Sequence, residues 1–310
     1  MSKKTSYLFG IFLTILIGTL LYCYFCDDCH CFPNKESDTK IEETNIINEP
    51  EVIPVTRNAF SISDTNGDFK IKTNDNFNFK TSNFSILEPL SENVTSEIVK
   101  LKDYLLANSS KDIDITGYYR SDEDNNSAFP NLGLARANTV KNYLISQNVP
   151  SKQIDTHGEL NEELHAGDTD TLFGPLKFGI ATFERGAIDE TLEAACDAIR
   201  NDPLVLYFKT GQAQISLTIE QRQKIANISR CVDKLGVKIQ VVGHTDNTGN
   251  ASQNLVLGQG RADFAKDYLI KNGILSDNVE TSSKGQTEPI ADNSTNEGKT
   301  KNRRTVITIN

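Results

Sequence analysis

Histidine and net positive charge are both scarce in this 310-residue chain, and each shortage closes off a class of function. Lys and Arg number 32 against 42 Asp and Glu, giving a formal net charge of -10 and a pI near 5.0. Binding nucleic acid requires a basic face that displaces counterions from phosphates, so no nucleic-acid partner is expected. Acidity of this size is accounted for by solubility. The four histidines, His30, His157, His165 and His244, are scattered. A catalytic metal needs about three protein ligands, and the His244-x-Asp246 pair has no matching His or Cys set after it. A metal-dependent hydrolase is therefore disfavoured. The chain is expected to be no enzyme and to use no metal or cofactor.

Ionisable residues are missing altogether from "SYLFGIFLTILIGTLLYCYF", Ser6 to Phe25. Its 20 residues, at about 1.5 Å each, match the roughly 30 Å of a bilayer's hydrocarbon core, so 6–25 is expected to be a membrane-spanning helix. Lys3 and Lys4 precede it and Asp27 and Asp28 follow, which places residues 1–5 in the cytoplasm and everything after Phe25 in the periplasm. A cleaved signal would have a shorter apolar region and a small-residue cleavage site. An uncleaved anchor is favoured, in the inner membrane, with an acylated lipoprotein or an outer-membrane location as the alternatives.

Cys23, Cys26, Cys29 and Cys31 crowd the end of that stretch around His30. They fit membrane-edge thiols or local disulfides, or a metal cluster for which no second half exists. From Phe32 to about Asp75 the chain turns to Asn, Glu, Thr, Lys, Ser and Pro, a composition that cannot repay the entropy of ordering. Residues 26–75 are thus expected to be a flexible linker with a mean reach of about 35 Å. Asp64, Asn66 and Asp68 in "DTNGDFKIKTND" have calcium-loop spacing, but Phe69 stands where that loop needs Gly, so a hairpin turn at Asn66-Gly67 is expected.

Beyond the linker the sequence repeats itself. "FKTSNFSI" at Phe79 matches "FKTGQAQI" at Phe208, "IDITGYY" at Ile113 matches "IQVVGHT" at Ile239, and "LGLARANTVKNYLISQNV" at Leu132 matches "LGQGRADFAKDYLIKNGI" at Leu257. The three matches keep their order at offsets between 125 and 129, which points to two tandem copies of one domain. In the second copy "PLVLYF", "VKIQVV", "VETSSKG" and "RRTVITI" read as strands. "LTIEQRQKIANISRCVDKLG" reads as a helix with a Thr218/Gln221 capping box and a stop at Gly236. Leu255, Gly258, Ala262, Ala265 and Leu269, at steps of three and four, mark the buried stripe of a second helix ending near Gly273. The fold class is α/β, an α+β sandwich with a mixed sheet and helices on one face.

Between the second strand and that helix lies "GHTDNTGNASQNLVLGQGRADFAKDYL". Asn254 and Arg261 are seven apart, two helical turns, and share a stripe. Asp246 sits on the loop, where Gly249 lets the backbone turn back to the helix. One acid facing one base across a gap suits a zwitterion: Arg grips a carboxylate with two donors and Asp accepts from an ammonium. A plain surface ion pair, worth about 0–1 kcal/mol, is the alternative.

Together, "LYFKTGQAQI", "GHTDNTG", "NLVLGQGRA" and "KGQTEPIADNSTNEGKTKNRR" resemble the OmpA-like peptidoglycan-binding domain, from about Pro203 to Ile309. The resemblance implies a pocket that holds the free zwitterionic end of diaminopimelate in the cell-wall peptide without covalent attachment. It assigns Asp246 and Arg261 as principal contacts, with Thr245, Asn254 and Arg303 as neighbours. Gly260 stands where the family usually has Ala, at a cost to helix stability of up to about 1 kcal/mol. The family pattern also implies a disulfide between Cys196 and Cys231, two buried free thiols being the alternative.

The first copy departs where binding would be decided. Counting from Gly117 puts Arg120 in the acid's place, and counting back from Arg136 gives Ser121; Asp122 is nearby but off register. Arg136 matches Arg261, the Asn equivalent falls near Phe129, and "GPLKFGI" replaces "NRR". This degenerate copy is expected to act as a spacer or to contact a protein partner. The resulting map is a cytoplasmic tail at 1–5, a span at 6–25, a linker at 26–75, the degenerate copy at 76–183, a connecting helix at 184–201 and the binding copy at 202–310. The whole would tether a membrane to peptidoglycan. Flagellar stator subunits share an anchor and a similar domain, but carrying an ion needs an ionisable group in the span. An outer-membrane barrel needs about eight or more alternating strands, for which the chain has no room. An envelope scaffold that binds only proteins remains the alternative.

Overall fold

The computed structural model describes residues 13–17, 54–64, 67, 69–182, 190–208 and 215–310. Of the expected span at 6–25, only 13–17 falls among them and is helical; the rest, like Cys23, Cys26, Cys29 and Cys31, lies outside the described residues. Among the described residues no helix is long and apolar enough to cross a membrane. Residues 53–310 form one compact unit with a mixed α/β architecture.

Its N-terminal half opens with a hairpin, β1 (Phe60–Ser63) antiparallel to β2 (Lys70–Thr73). This corrects the expectation of a linker running to residue 75. Alternation along β1 and β2 buries Phe60, Ile62 and Ile71, and the Phe60 ring lies edge-on to Phe178 with centroids 4.8 Å apart. Averaged over a polar window, three apolar residues vanish; on alternate positions of a strand they share one face. Then come β3 (Asn78–Lys80), helix α1 (Glu92–Ala107), β4 (Lys111–Tyr119), α2 (Leu132–Ser146), β5 (Ile154–Leu160), β6 (Thr171–Phe173) and β7 (Leu176–Thr182). Central β4 pairs parallel with β5 and antiparallel with β7, while β3 pairs with β6 apart from that sheet. Helix α1 is capped by Ser91, which accepts from the Val94 amide, and buries Val94, Ile98, Leu101 and Leu105 at helical spacing.

The C-terminal half contains α3 (Glu190–Asn201), β8 (Leu204–Tyr207), α4 (Ile219–Leu235), β9 (Ile239–His244), α5 (Ala251–Lys271), β10 (Val279–Gly285), α6 (Asn296–Asn302) and β11 (Arg304–Ile309). Helix α3 falls within the expected connecting helix, whose first residues are not described. The sheet runs β10-β9-β11-β8 and is mixed, with β9 and β10 parallel and the other pairs antiparallel. Leu204, Leu206, Ile239, Val241, Ile307 and Ile309 alternate along their strands and meet Ile225, Ile228, Ala262, Ala265 and Leu269 of α4 and α5 in one core. The Thr218/Gln221 capping box is present, and Gly236 closes α4 at a φ of 73° that favours glycine. One residue of the expected α5 stripe is misplaced: Asn254 is buried and Leu255 is exposed, because the loop needs the amide. Cys196 of α3 and Cys231 of α4 are bonded and fully buried.

Each half seats one helix, α2 or α5, directly on an inner strand, β4 or β9. A Cβ on Gly243 would lie 1.8 Å from the Gly258 carbonyl oxygen, and one on Gly117 would lie 1.9 Å from that of Gly133, so neither strand position tolerates a side chain. The halves also hold each other. Lys141 of α2 donates to Asp233 and Ser229 of α4, Lys234 pairs with Asp112 and Asp155, and the Ala128 amide donates to Asn272 Oδ1 at 2.6 Å.

Candidate functional site

Thr245, Asp246, Asn254, Arg261 and Arg303 all line one open pocket of about 410 Å3 at the end of β9. Three elements deliver them. The loop leaving β9 carries Thr245 and Asp246, α5 carries Asn254 and Arg261, and Arg303 lies between α6 and β11. Thr248, Leu257, Asn296 and Lys299 complete the lining and were not anticipated. Asn296 and Lys299 lie on α6, a seven-residue helix too short to show a periodic pattern in the sequence.

Asp246 Oδ1 accepts from the Thr248 amide at 2.9 Å, an Asx-type turn, and Oδ2 accepts from Arg303 Nη1 at 2.8 Å. The acid therefore pairs with Arg303, and Arg261 lies beyond ion-pair distance. Burial alone would raise the Asp246 pKa, but the Arg303 guanidinium and the Thr248 amide outweigh it and hold the carboxyl below its ordinary value. Arg303 Nη2 also donates to Thr300 Oγ1 at 2.7 Å, while its buried Nε has no partner.

Asn254 works as a brace. Its amide nitrogen donates to the carbonyls of Asp246 and Thr248 and to Gln286 Oε1, tying the loop to the helix and to the turn after β10. Arg261 Nη1 donates to the His244 carbonyl at 2.9 Å, and among the described residues no carboxylate lies within ion-pair distance of its guanidinium. Burial lowers the Arg261 pKa, Asp246 opposing that shift and Arg303 adding to it, yet a guanidinium stays charged at neutral pH. The pocket thus presents Arg261, Arg303 and Lys299 against the single carboxylate of Asp246. Such a surplus of donors is built to receive an anionic oxygen pair.

His244 turns away from this chemistry. It is buried, its Nδ1 has no partner, and burial together with the Arg304 charge pushes its pKa down to about 4. No group of three or more His, Cys, Asp or Glu able to hold a metal occurs among the described residues.

The family model for the OmpA family matches residues 78–171 and again 207–303. The chain belongs to the OmpA family. Among curated relatives, the peptidoglycan-binding protein ArfA of Mycobacterium tuberculosis is 33% identical over 120 residues, 38% of this chain and 36% of that protein. The peptidoglycan-associated lipoprotein of Buchnera aphidicola is 29% identical over 149 residues, covering 47% of this chain and 83% of the relative. The alignment thus spans about a third of the length of ArfA. Among solved structures, the C-terminal domain of Helicobacter pylori MotB is 29% identical over 35% of this chain and 84% of its own, at a TM-score of 0.29.

The N-terminal half lacks this pocket for reasons visible in the strand register. Gly117 pairs with Leu176 as Gly243 pairs with Thr305, which puts Gly174 at the place of Arg303. Strand β6 stands in place of α6, so no equivalents of Asn296 and Lys299 are supplied. Helix α2 starts one residue before Gly133, whereas α5 starts seven before Gly258; the turns that would carry an Asn254 equivalent are absent, and Phe129 is buried there instead. Asp122, the off-register acid, is exposed and pairs with Arg120.

Proposed function

We propose that the chain binds peptidoglycan without catalysis, through the pocket of its C-terminal half, and so tethers the envelope to the wall. In this reading residues 76–183 and 202–310 are two tandem OmpA-like domains, of which the second binds. The observation that carries it is Arg261: its guanidinium is fixed on the His244 carbonyl, has no carboxylate within ion-pair distance among the described residues, and lines a pocket that also holds Asp246 and Arg303. A ligand carboxylate takes two of the remaining N–H donors of Arg261, and the ligand's ammonium takes the Asp246 carboxylate, which Arg303 and Thr248 hold ionised. A free diaminopimelate end carries both groups. The names of relatives that bind or associate with peptidoglycan support the substrate class. The apolar stretch Ser6–Phe25 supports a membrane anchor with the remainder in the periplasm.

The test is sedimentation of the purified 53–310 unit with insoluble murein. Wild type should co-sediment, and the Asp246→Ala, Arg261→Ala double variant should stay in solution. Equal retention of the two would sink the assigned site and leave an envelope scaffold as the reading.

A further inference from the structure

The two arginines that match in sequence begin from the same hydrogen bond and end differently. Each follows its helix glycine by three residues, Arg136 after Gly133 and Arg261 after Gly258. Each donates from Nη1 to the carbonyl of the residue after the strand glycine, Arg136 to Tyr118 at 2.8 Å and Arg261 to His244 at 2.9 Å. Arg261 then faces an open pocket. Arg136 is wholly buried, and the side chain of Glu123 closes over it.

The Glu123 carboxylate is held at both oxygens. Oε2 accepts from Arg136 Nη1 at 3.0 Å and from the Arg120 amide at 2.9 Å; Oε1 accepts from Arg136 Nη2 and from the Ser82 amide at 2.9 Å. Arg120 is the residue at the register of Asp246, so one donor comes from the loop that builds the pocket in the other half. The Asn83 and Lys80 carbonyls take the remaining guanidinium donors. Two side-chain and two backbone donors converging on one buried carboxylate are what a site for a small carboxylate offers its ligand.

We propose that the N-terminal half contains a carboxylate-binding site occupied by the chain's own Glu123, which stands where a ligand's carboxylate would stand on Arg136. The site is closed in the folded protein, and this half is therefore no second wall contact. Removing the Glu123 side chain opens it to a free monocarboxylate of the size of acetate or propionate.

The experiment is chemical rescue in the 53–310 unit. Glu123→Ala should melt below wild type. Acetate or propionate should raise its melting temperature with saturation, while sodium chloride at equal ionic strength should not. Wild type and Glu123→Gln, whose sites are filled, should show no such saturable response. If Glu123→Ala does not fold unaided, the reading becomes recovery of folded protein from urea in acetate against chloride, and greater recovery in acetate supports the site. Equal effects of acetate and chloride on Glu123→Ala, or an equal response from Glu123→Gln, would overturn the proposal. Murein retention read on the same samples keeps the two ideas apart. Rescue together with failed retention in wild type counts against the proposed function alone.

Discussion

The two halves of this chain carry the same arginine on the same carbonyl, and one is a structural anchor while the other is left open. In the N-terminal half Arg136 is sealed by Glu123, and neither side chain has more than 1% of its surface exposed. In the C-terminal half the loop is shorter, the helix begins six residues earlier relative to its glycine, and Arg303 engages Asp246 across the pocket. The contrast teaches that keeping the arginine does not keep the site. What makes the pocket is the withholding of an internal carboxylate from Arg261, together with the second cation that keeps Asp246 ionised.

The largest effect should come from removing each arginine in turn. Arg136→Ala leaves Glu123 buried without its partner and should cost about 3–5 kcal/mol in urea unfolding. Arg261→Ala should cost about 1 kcal/mol, the worth of one hydrogen bond, and abolish murein retention instead. If the two variants unfold alike, the division into anchor and site is wrong.

Next in size is the disulfide, which among the described residues belongs to the C-terminal half alone. Cys196 and Cys231 are 35 residues apart and join α3 to α4. Replacing both with Ser should lower unfolding free energy by about 3–4 kcal/mol in the loop-entropy account, with murein retention preserved because the bond lies in the core and not in the pocket.

A pH effect of somewhat smaller size separates the halves at one matched position, His244 against Tyr118. With its folded pKa near 4 against an ordinary value of 6.5, His244 resists a proton that the unfolded chain accepts. Its contribution is complete above about pH 6.5 and declines as pH falls toward 4, by up to roughly 3 kcal/mol. His244→Gln, neutral throughout, should flatten that part of the stability profile; an unchanged slope would show that other groups carry it. The smallest change is at Lys299, which has no ion-pair partner among the described residues. Lys299→Ala should weaken murein binding several-fold, on the order of 1 kcal/mol, measured by sedimentation at graded murein concentration.

Most of the fold was legible because it is written at short range. The capping box of α4, the Gly236 stop, the alternation of β9 and β11 and the stripe of α5 depend on residues within a few positions of one another. A hairpin turn was expected at Asn66-Gly67, of which Asn66 lies outside the described residues, but the strands on either side of it were read as linker because three apolar residues on alternate positions do not lift a polar average. The five residues assigned through the family motif all line the one pocket. Lys299 and Asn296 were missed because nothing in a seven-residue helix says which way it faces. Glu123 was missed because register counting gave Arg120 and Ser121, with Asp122 as the nearest acid, whereas the loop carries Asp122 outward and its neighbour inward.

By itself, then, the sequence determined the order of strands and helices in the C-terminal half, the caps that bound its first long helix, and the resemblance to the family. Tertiary structure decided which acid meets which arginine. Asp246 and Arg303 are 57 positions apart, and Arg136 and Glu123 are joined across a loop whose path depends on β4, α2 and the segment before α1. Periodicity and caps are set by neighbours along the chain, but the pairing of charges is set by where distant backbones are brought to rest. In a buried site that pairing alone separates a closed salt bridge from an open one.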